Sequence, residues 1–373
     1  MNCKKLGFGL MRLPQNSGGI DIEQFKVMVD MFLEAGCTYF DTAWIYGGSE
    51  DATRQALVER HDRGSFTLAS KLAPWAKCET RADAVAQFET SLRRSGAGFF
   101  DYYLLHNLGE DRTALFDNFG LWDFVQEQKA AGKIRHVGFS FHSTADDLES
   151  ILQKHPEMEF VQLQINYADW DDPKIQSRKC YEVARKYGKP VIVMEPVKGG
   201  MLASPPEPVA DLFKQAAPEC SYASWAIRFA ASLDGVMTVL SGMSNIEQMQ
   251  DNLSYMKDFK PLSENELETV HQAQKALAAI PVIPCTGCNY CMKVCPENIG
   301  IPGTFSALNL YNTYADLKTA KQREHWNVDG QKLSHADKCI KCGKCEQACP
   351  QHIKIRQHLA EAVEKLEIKS ETV

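Results

Sequence analysis

Eight short runs rich in β-branched, aromatic and aliphatic residues recur along the first 280 residues, separated by longer amphipathic stretches. The runs are LGFGLMRL, TYFDTA, FTLASKL, FDYYLLHN, IRHVGFSF, FVQLQINYA, PVIVMEPV and GVMTVLSG. Between them lie helix candidates such as IEQFKVMVDMFLEAG, LFDNFGLWDFVQEQKAAG and PKIQSRKCYEVARKYG. The first two end at Gly36 and Gly132, where glycine supplies the backbone conformation that stops a helix. Strands that alternate with helices imply a parallel sheet. Eight such units in about 250 residues predict an α/β fold of the closed (β/α)8 TIM-barrel type. The rival is an open doubly wound sheet, which would carry a dinucleotide glycine fingerprint after its first strand. Gly7-Phe8-Gly9 is followed by Leu10, Met11 and Arg12, so the third glycine is missing.

A barrel of this kind places its chemistry at the C-terminal ends of its strands. The second run delivers Asp41 and, just beyond, Tyr46; the third delivers Lys71; the fourth delivers His106. Each alone has a plain structural explanation, as a helix cap, a surface charge or a satisfied core histidine. At matching ends of three adjacent strands, four proton-active groups form a constellation. Trp44, Trp75 and Trp170 are candidates for an aromatic pocket and equally for packing.

These residues stand in segments that resemble the aldo-keto reductases. FDTAWIYGGSE is similar to that family's Asp-Thr-Ala-x-x-Tyr-Gly-x-Glu segment, ASKL to its lysine strand and LLHN to its histidine strand. GKIRHVGFSFH and SGMSNIEQMQDN resemble its fifth-strand serine segment and its adenosine-binding segment. The resemblance, from about Leu6 to Asn252, implies NAD(P)H binding on a (β/α)8 barrel, NADH or NADPH serving as cofactor. It makes Asp41, Tyr46, Lys71 and His106 a catalytic tetrad acting on a small carbonyl or alcohol. Tyr46 would be the proton donor, Lys71 would lower its pKa, Asp41 would hold Lys71, and His106 would orient the carbonyl oxygen. By the same resemblance Ser140 and Gln164 would hold the nicotinamide carboxamide. Gly9, Met11 and Arg12 would line the nicotinamide and phosphate region. Pro196, Val197, Lys198 and Gly199 would approach the pyrophosphate, and Ser244, Gln248, Asp251 and Asn252 the adenosine.

The sequence departs from the family pattern in several places. Met194 stands where many members stack a tyrosine on the nicotinamide, and Phe141 follows Ser140 where an asparagine is usual. Gln248 stands where NADPH-selective members place arginine, and no Lys or Arg occurs from Phe229 to Met256. A 2′-phosphate wants such a partner, which leaves NADH open as the cofactor. Leu6 opens the first strand almost at once, so the family's N-terminal hairpin is expected to be missing or short.

The chain then ends in CTGCNYCMKVCP from Cys285 and CIKCGKCEQACP from Cys339, both C-x2-C-x2-C-x3-C-P. Zinc needs only two CxxC pairs, and disulfides need an oxidising compartment. The doubled run is that of bacterial ferredoxins, in which the fourth cysteine ligates the other cluster. It predicts two [4Fe-4S] clusters, one on Cys285, Cys288, Cys291 and Cys349, the other on Cys339, Cys342, Cys345 and Cys295. The long segment between the runs has helical spacing, which predicts a small, mainly helical ferredoxin-like domain over 281–373 with a C-terminal helix, after a barrel over 1–280. The whole resembles the iron–sulfur subgroup of the aldo-keto reductases.

Five further cysteines, Cys3, Cys37, Cys78, Cys180 and Cys220, are isolated and are expected as small buried hydrophobes of a cytoplasmic protein. The formal net charge of -7 and the scattered Lys and Arg argue against a nucleic-acid partner, and no run is long and apolar enough to cross a membrane. Three readings stay open. One is nicotinamide-driven reduction of a carbonyl, or oxidation of an alcohol, with the clusters linked to an external electron carrier. Another is a ferredoxin-linked reductase whose substrate exchanges electrons with the clusters. The last is a non-enzymatic nucleotide-sensing subunit, against which the intact tetrad counts.

Overall fold

The computed structural model describes residues 4–109 and 112–368. They belong to two compact units, one built on 4–203 and 216–271, the other on 204–215 and 272–368. The sequence places the boundary at 280/281, where Pro281 and Pro284 break the pattern. The structure places it inside the helix Glu264–Ala278. That helix starts where Ser263 and Glu266 bond reciprocally, the Ser263 N–H donating to Glu266 Oε2 at 2.8 Å. It then runs without a break to Ala278. Residues 204–215, with buried Val209 and Phe213 on the helix Glu207–Ala216, also group with the second unit, which nothing in their composition announces.

All eight expected strands form one closed parallel barrel: β1 Leu6–Gly9, β2 Tyr39–Asp41, β3 Thr67–Leu72, β4 Phe100–Leu108, β5 Ile134–Phe141, β6 Phe160–Gln164, β7 Val191–Met194 and β8 Val236–Ser241. Closure is made by β1, whose Gly7 pairs with Tyr39 of β2 on one side and Leu240 of β8 on the other. Several strands stop short of their sequence patterns. β7 ends before Glu195, which takes a left-handed φ of 56°, and Pro196, which has no N–H for the ladder. β1 passes into a 3-10 turn over Leu10–Arg12, and a short hairpin, Gln15–Asn16 with Gly19–Ile20, precedes the helix Ile22–Glu34.

The barrel interior is packed with Tyr39, Ala69, Leu104, Phe160, Ile192 and Leu240, with Tyr102 and Met237 against them. It is a filled core rather than a pore. The register is tight at Gly138, where an added Cβ would stand 2.4 Å from the Phe160 carbonyl oxygen. These constraints fix the heights at which β2, β3 and β4 end: Asp41 pairs with Ala69, and Lys71 with Leu104.

The second unit is mainly helical, as expected. The helices Ile301–Tyr314, Leu317–Val328 and Ile355–Lys365 bury Phe305, Leu308, Ala320, Ile355 and Leu359. The two cysteine runs each contain one short helical turn, Tyr290–Lys293 and Lys344–Gln347. A parallel bridge joins Ile299 to Ser334. Among the described residues, no helix is long and apolar enough to cross a membrane.

Candidate functional site

The expected constellation assembles at the C-terminal end of the barrel. Lys71 is completely buried and its ammonium donates to Asp41 Oδ1 and, at 2.7 Å, to the Thr42 carbonyl. Its nitrogen lies 5.0 Å from the centre of the Tyr46 ring. The Tyr46 and His106 rings meet edge to face with centres 6.0 Å apart. Burial lowers the Lys71 ammonium, but the Asp41 carboxylate and the Tyr46 phenol outweigh it and hold the ammonium above its ordinary range. Burial raises the Asp41 carboxyl in turn, against the pull of the Lys71 ammonium.

Tyr46 corrects the sequence reading. Lys71 does pull the phenol down, but burial is the larger influence, Asp41 adds to it, and the net displacement is upward. Tyr46 as a residue keeps some exposure, while its phenol end lies against the buried pair. His106 is buried and is pushed well below the ordinary imidazole range, first by burial and then by the Lys71 ammonium. It is a neutral imidazole, and its Nδ1 has no hydrogen-bond partner.

Trp75 is placed by a contact that sequence patterns do not reveal. Its indole N–H donates to the backbone carbonyl of His106 at 2.9 Å, and its ring lies 5.7 Å from the imidazole. Trp170 packs on Phe229 and Tyr181, and Trp44 lies under the Arg94 guanidinium.

A cavity of about 440 Å³ gathers Arg12, Pro196, Val197, Gly199, Ser244, Gln248, Asp251 and Asn252, eight of the expected cofactor residues. Ser244 ties its rim together, donating from Oγ to the Arg12 carbonyl at 2.7 Å and from its N–H to Gln248 Oε1 at 2.7 Å. Asn252 is engaged internally, with Ser241 and Tyr255. Gly9 and Met11 stand at the end of β1, outside that lining. Ser140, Gln164 and Met194 stand at the ends of β5, β6 and β7. Ser140 Oγ accepts from the Asn107 N–H at 2.7 Å. Lys198 bonds Asp169, which also accepts from Gln164 at 3.0 Å and Asn166 at 2.9 Å. The sequence reading missed this Asn166–Asp169 pair; its signal is an Asx turn, the Asp169 N–H donating to Asn166 Oδ1 at 2.8 Å.

In the second unit the eight motif cysteines divide between two cavities. Cys285, Cys288, Cys291 and Cys349 line one, with Ile301, Phe305, Ile353 and Ile355. Cys295, Cys339, Cys342 and Cys345 line the other, with Ile299, Ile301 and Leu359. In each, three thiols come from one run and the fourth from the other. Burial and the neighbouring Cys285 and Cys288 push the Cys291 thiol up to about 11. Four thiols converging on one apolar-walled cavity, three from one run and one from the other, are the donor set that an iron–sulfur cluster takes, so the residues fit such clusters. Of the isolated cysteines, Cys37 and Cys180 are buried as expected; Cys78 and Cys220 are only partly so, and Cys3 lies outside the described residues.

Residues 5–275 match the model of the aldo/keto reductase family, and residues 284–353 that of a 4Fe-4S dicluster domain. The aldo-keto reductase str7 of Strobilurus tenacellus is 30% identical over 212 residues, 53% of this chain and 59% of that protein. An aldo-keto reductase of Mycobacterium sp. (strain KMS) is 29% identical over 136 residues, 36% of this chain and 45% of that protein. The chain thus spans about half the length of these curated relatives. Among solved structures, the holo form of AKR11C1 from Bacillus halodurans is 24% identical, with a TM-score of 0.59 over 72% of this chain and 91% of that one. An aldo-keto reductase of Klebsiella pneumoniae in complex with NADPH is 22% identical, with a TM-score of 0.59 over 72% of this chain and 90% of that one. With the barrel, the converged tetrad and the paired cysteine cavities, these matches make the chain a member of the aldo/keto reductase family that carries a 4Fe-4S dicluster domain C-terminal to its barrel in sequence.

Proposed function

We propose that the chain is an NAD(P)H-dependent oxidoreductase that reduces a small-molecule carbonyl, or oxidises the alcohol, and carries two [4Fe-4S] clusters linked to an external one-electron carrier. The observation that supports it most is the convergence of Tyr46, the buried Lys71–Asp41 pair and neutral His106 at one end of the barrel. The bound nicotinamide supplies a hydride. The chain's own residues then have defined tasks. Tyr46, held protonated, gives its phenol proton to the alkoxide oxygen. Lys71 stabilises the phenolate that is left, and Asp41 keeps the ammonium in place. His106, as a neutral imidazole, can donate one N–H to the carbonyl oxygen without adding charge. The cavity lined by Arg12, Gln248 and Asp251 would take the adenosine end of the cofactor, and Ser140 and Gln164 its carboxamide.

Cys285, Cys288, Cys291 and Cys349 would hold one cluster and Cys339, Cys342, Cys345 and Cys295 the other, each supplying one-electron chemistry. The reading is tested with nicotinamide deuterated at the transferred position and a panel of aromatic and aliphatic aldehydes. Carbonyl-dependent oxidation with a primary isotope effect is expected. Tight nicotinamide binding without turnover of any carbonyl or alcohol would point instead to the nucleotide-sensing reading.

A further inference from the structure

The two cysteine runs differ in charge. Between Lys338 and Arg356 the chain carries five cations, Lys338, Lys341, Lys344, Lys354 and Arg356, all exposed, against one acid, Glu346. Arg356 covers that acid with a 2.7 Å ion pair, and among the described residues Lys338, Lys341 and Lys344 have no ion pair at all. In the first run, from Cys285 to Glu297, Lys293 and Glu297 cancel. The basic stretch sits on a chain whose net charge is -7. At its centre Ile340 is 60% exposed, next to exposed Cys342, a ligand of the cavity that Arg356 and Lys341 also line.

We infer that this surface, Lys338, Ile340, Lys341, Lys344 and Arg356, docks an acidic protein that carries single electrons. Cations beside an exposed apolar side chain steer an acidic partner and then give it something to bury. Its position decides the class of partner. The stretch includes the exposed thiol of Cys342, where close approach shortens an electron's path, whereas the chain's net negative charge repels an extended polyanion. One electron leaves the reduced carrier and enters the second run's cluster, with no bond made or broken. The inference rests on the proposed link to an external carrier.

The test uses the anaerobic holoprotein and a purified acidic two-cluster ferredoxin, reduced beforehand. Stopped-flow absorbance, read at a wavelength where the ferredoxin's reoxidation and the chain's reduction do not cancel, gives the second-order rate of cluster reduction. That rate should fall steeply as salt rises. Lys341→Glu with Lys344→Glu should lower it on the order of tenfold at low salt, and the milder Lys341→Gln with Lys344→Gln by about threefold. Lys293→Glu should change it less than about twofold. Reduction by the methyl viologen radical cation should not slow in any variant, which shows the clusters intact. A salt-independent rate, a wild-type rate in the charge-reversed pair, or an equal loss in Lys293→Glu would overturn the docking surface and leave the carrier link standing. Tighter binding of a DNA duplex or an anionic vesicle than of the ferredoxin would overturn it too. Wild-type protein that viologen reduces and ferredoxin does not would overturn the carrier link, and the surface with it.

Discussion

Tyr46 sits between two influences of opposite sign. Burial lifts the phenol, Lys71 lowers it, and the net position is above the ordinary phenol value of about 10. A donor must be protonated, so nicotinamide-driven reduction should stay level through neutral pH and fall only as pH passes above that value. Alcohol oxidation needs the phenolate and should rise over the same range. Rate profiles for both directions check this; a reduction rate already halved near pH 8 would contradict it. Asp41, Tyr46, Lys71 and His106 were legible in the sequence because strand ends and residue type identify them together. The upward displacement of Tyr46 was not, because it depends on how deeply the phenol is buried. Trp75 was legible only as an aromatic candidate, since its partner is a backbone carbonyl.

At the scale of elements, the eight strands were legible because alternating strand and helix periods are local, while their ends were set by features such as the φ of Glu195. The pairing of the cysteine runs is a relation between elements. Cys349 follows the helical turn Lys344–Gln347, yet it lines the cavity of Cys285, Cys288 and Cys291. Cys349→Ala should therefore damage the cluster of the distant first run and leave the Cys339 cluster spectroscopically present. Loss confined to the Cys339 cluster, by iron analysis and electron paramagnetic resonance, would show the pairing to be wrong. The cofactor cavity carries its own expectation. Its lining has three carboxylates, Glu195, Glu247 and Asp251, against the single cation Arg12. Arg12 already has Glu195 at 3.9 Å. A 2′-phosphate finds no dedicated partner there, so NADH should bind at least about tenfold tighter than NADPH. Fluorescence titration with both cofactors decides it, and equal affinities would contradict it.

The molecule as a whole joins a barrel that needs no metal to fold with a unit of thin core that its clusters would staple. A chain ending at Ile280 keeps the tetrad and the cofactor cavity but loses both cysteine runs. It should retain nicotinamide-driven carbonyl reduction and lose any turnover driven by reduced ferredoxin or viologen. It also keeps residues 204–215 and 272–280 without most of their unit, so it should be less soluble than the full chain. Assays of both activities on the two chains test this, and carrier-driven turnover surviving the truncation would contradict it. The grouping of 204–215 was invisible in the sequence because it is a packing relation between distant segments. The central claim is that Tyr46 delivers the proton to a carbonyl reduced at the barrel mouth. Tyr46→Phe keeps the ring and removes the proton, so its kcat for carbonyl reduction, measured on the holoprotein beside its nicotinamide affinity, is the most direct test. A fall of roughly 10²–10⁴-fold with affinity nearly unchanged is predicted; turnover at the wild-type rate would contradict the account.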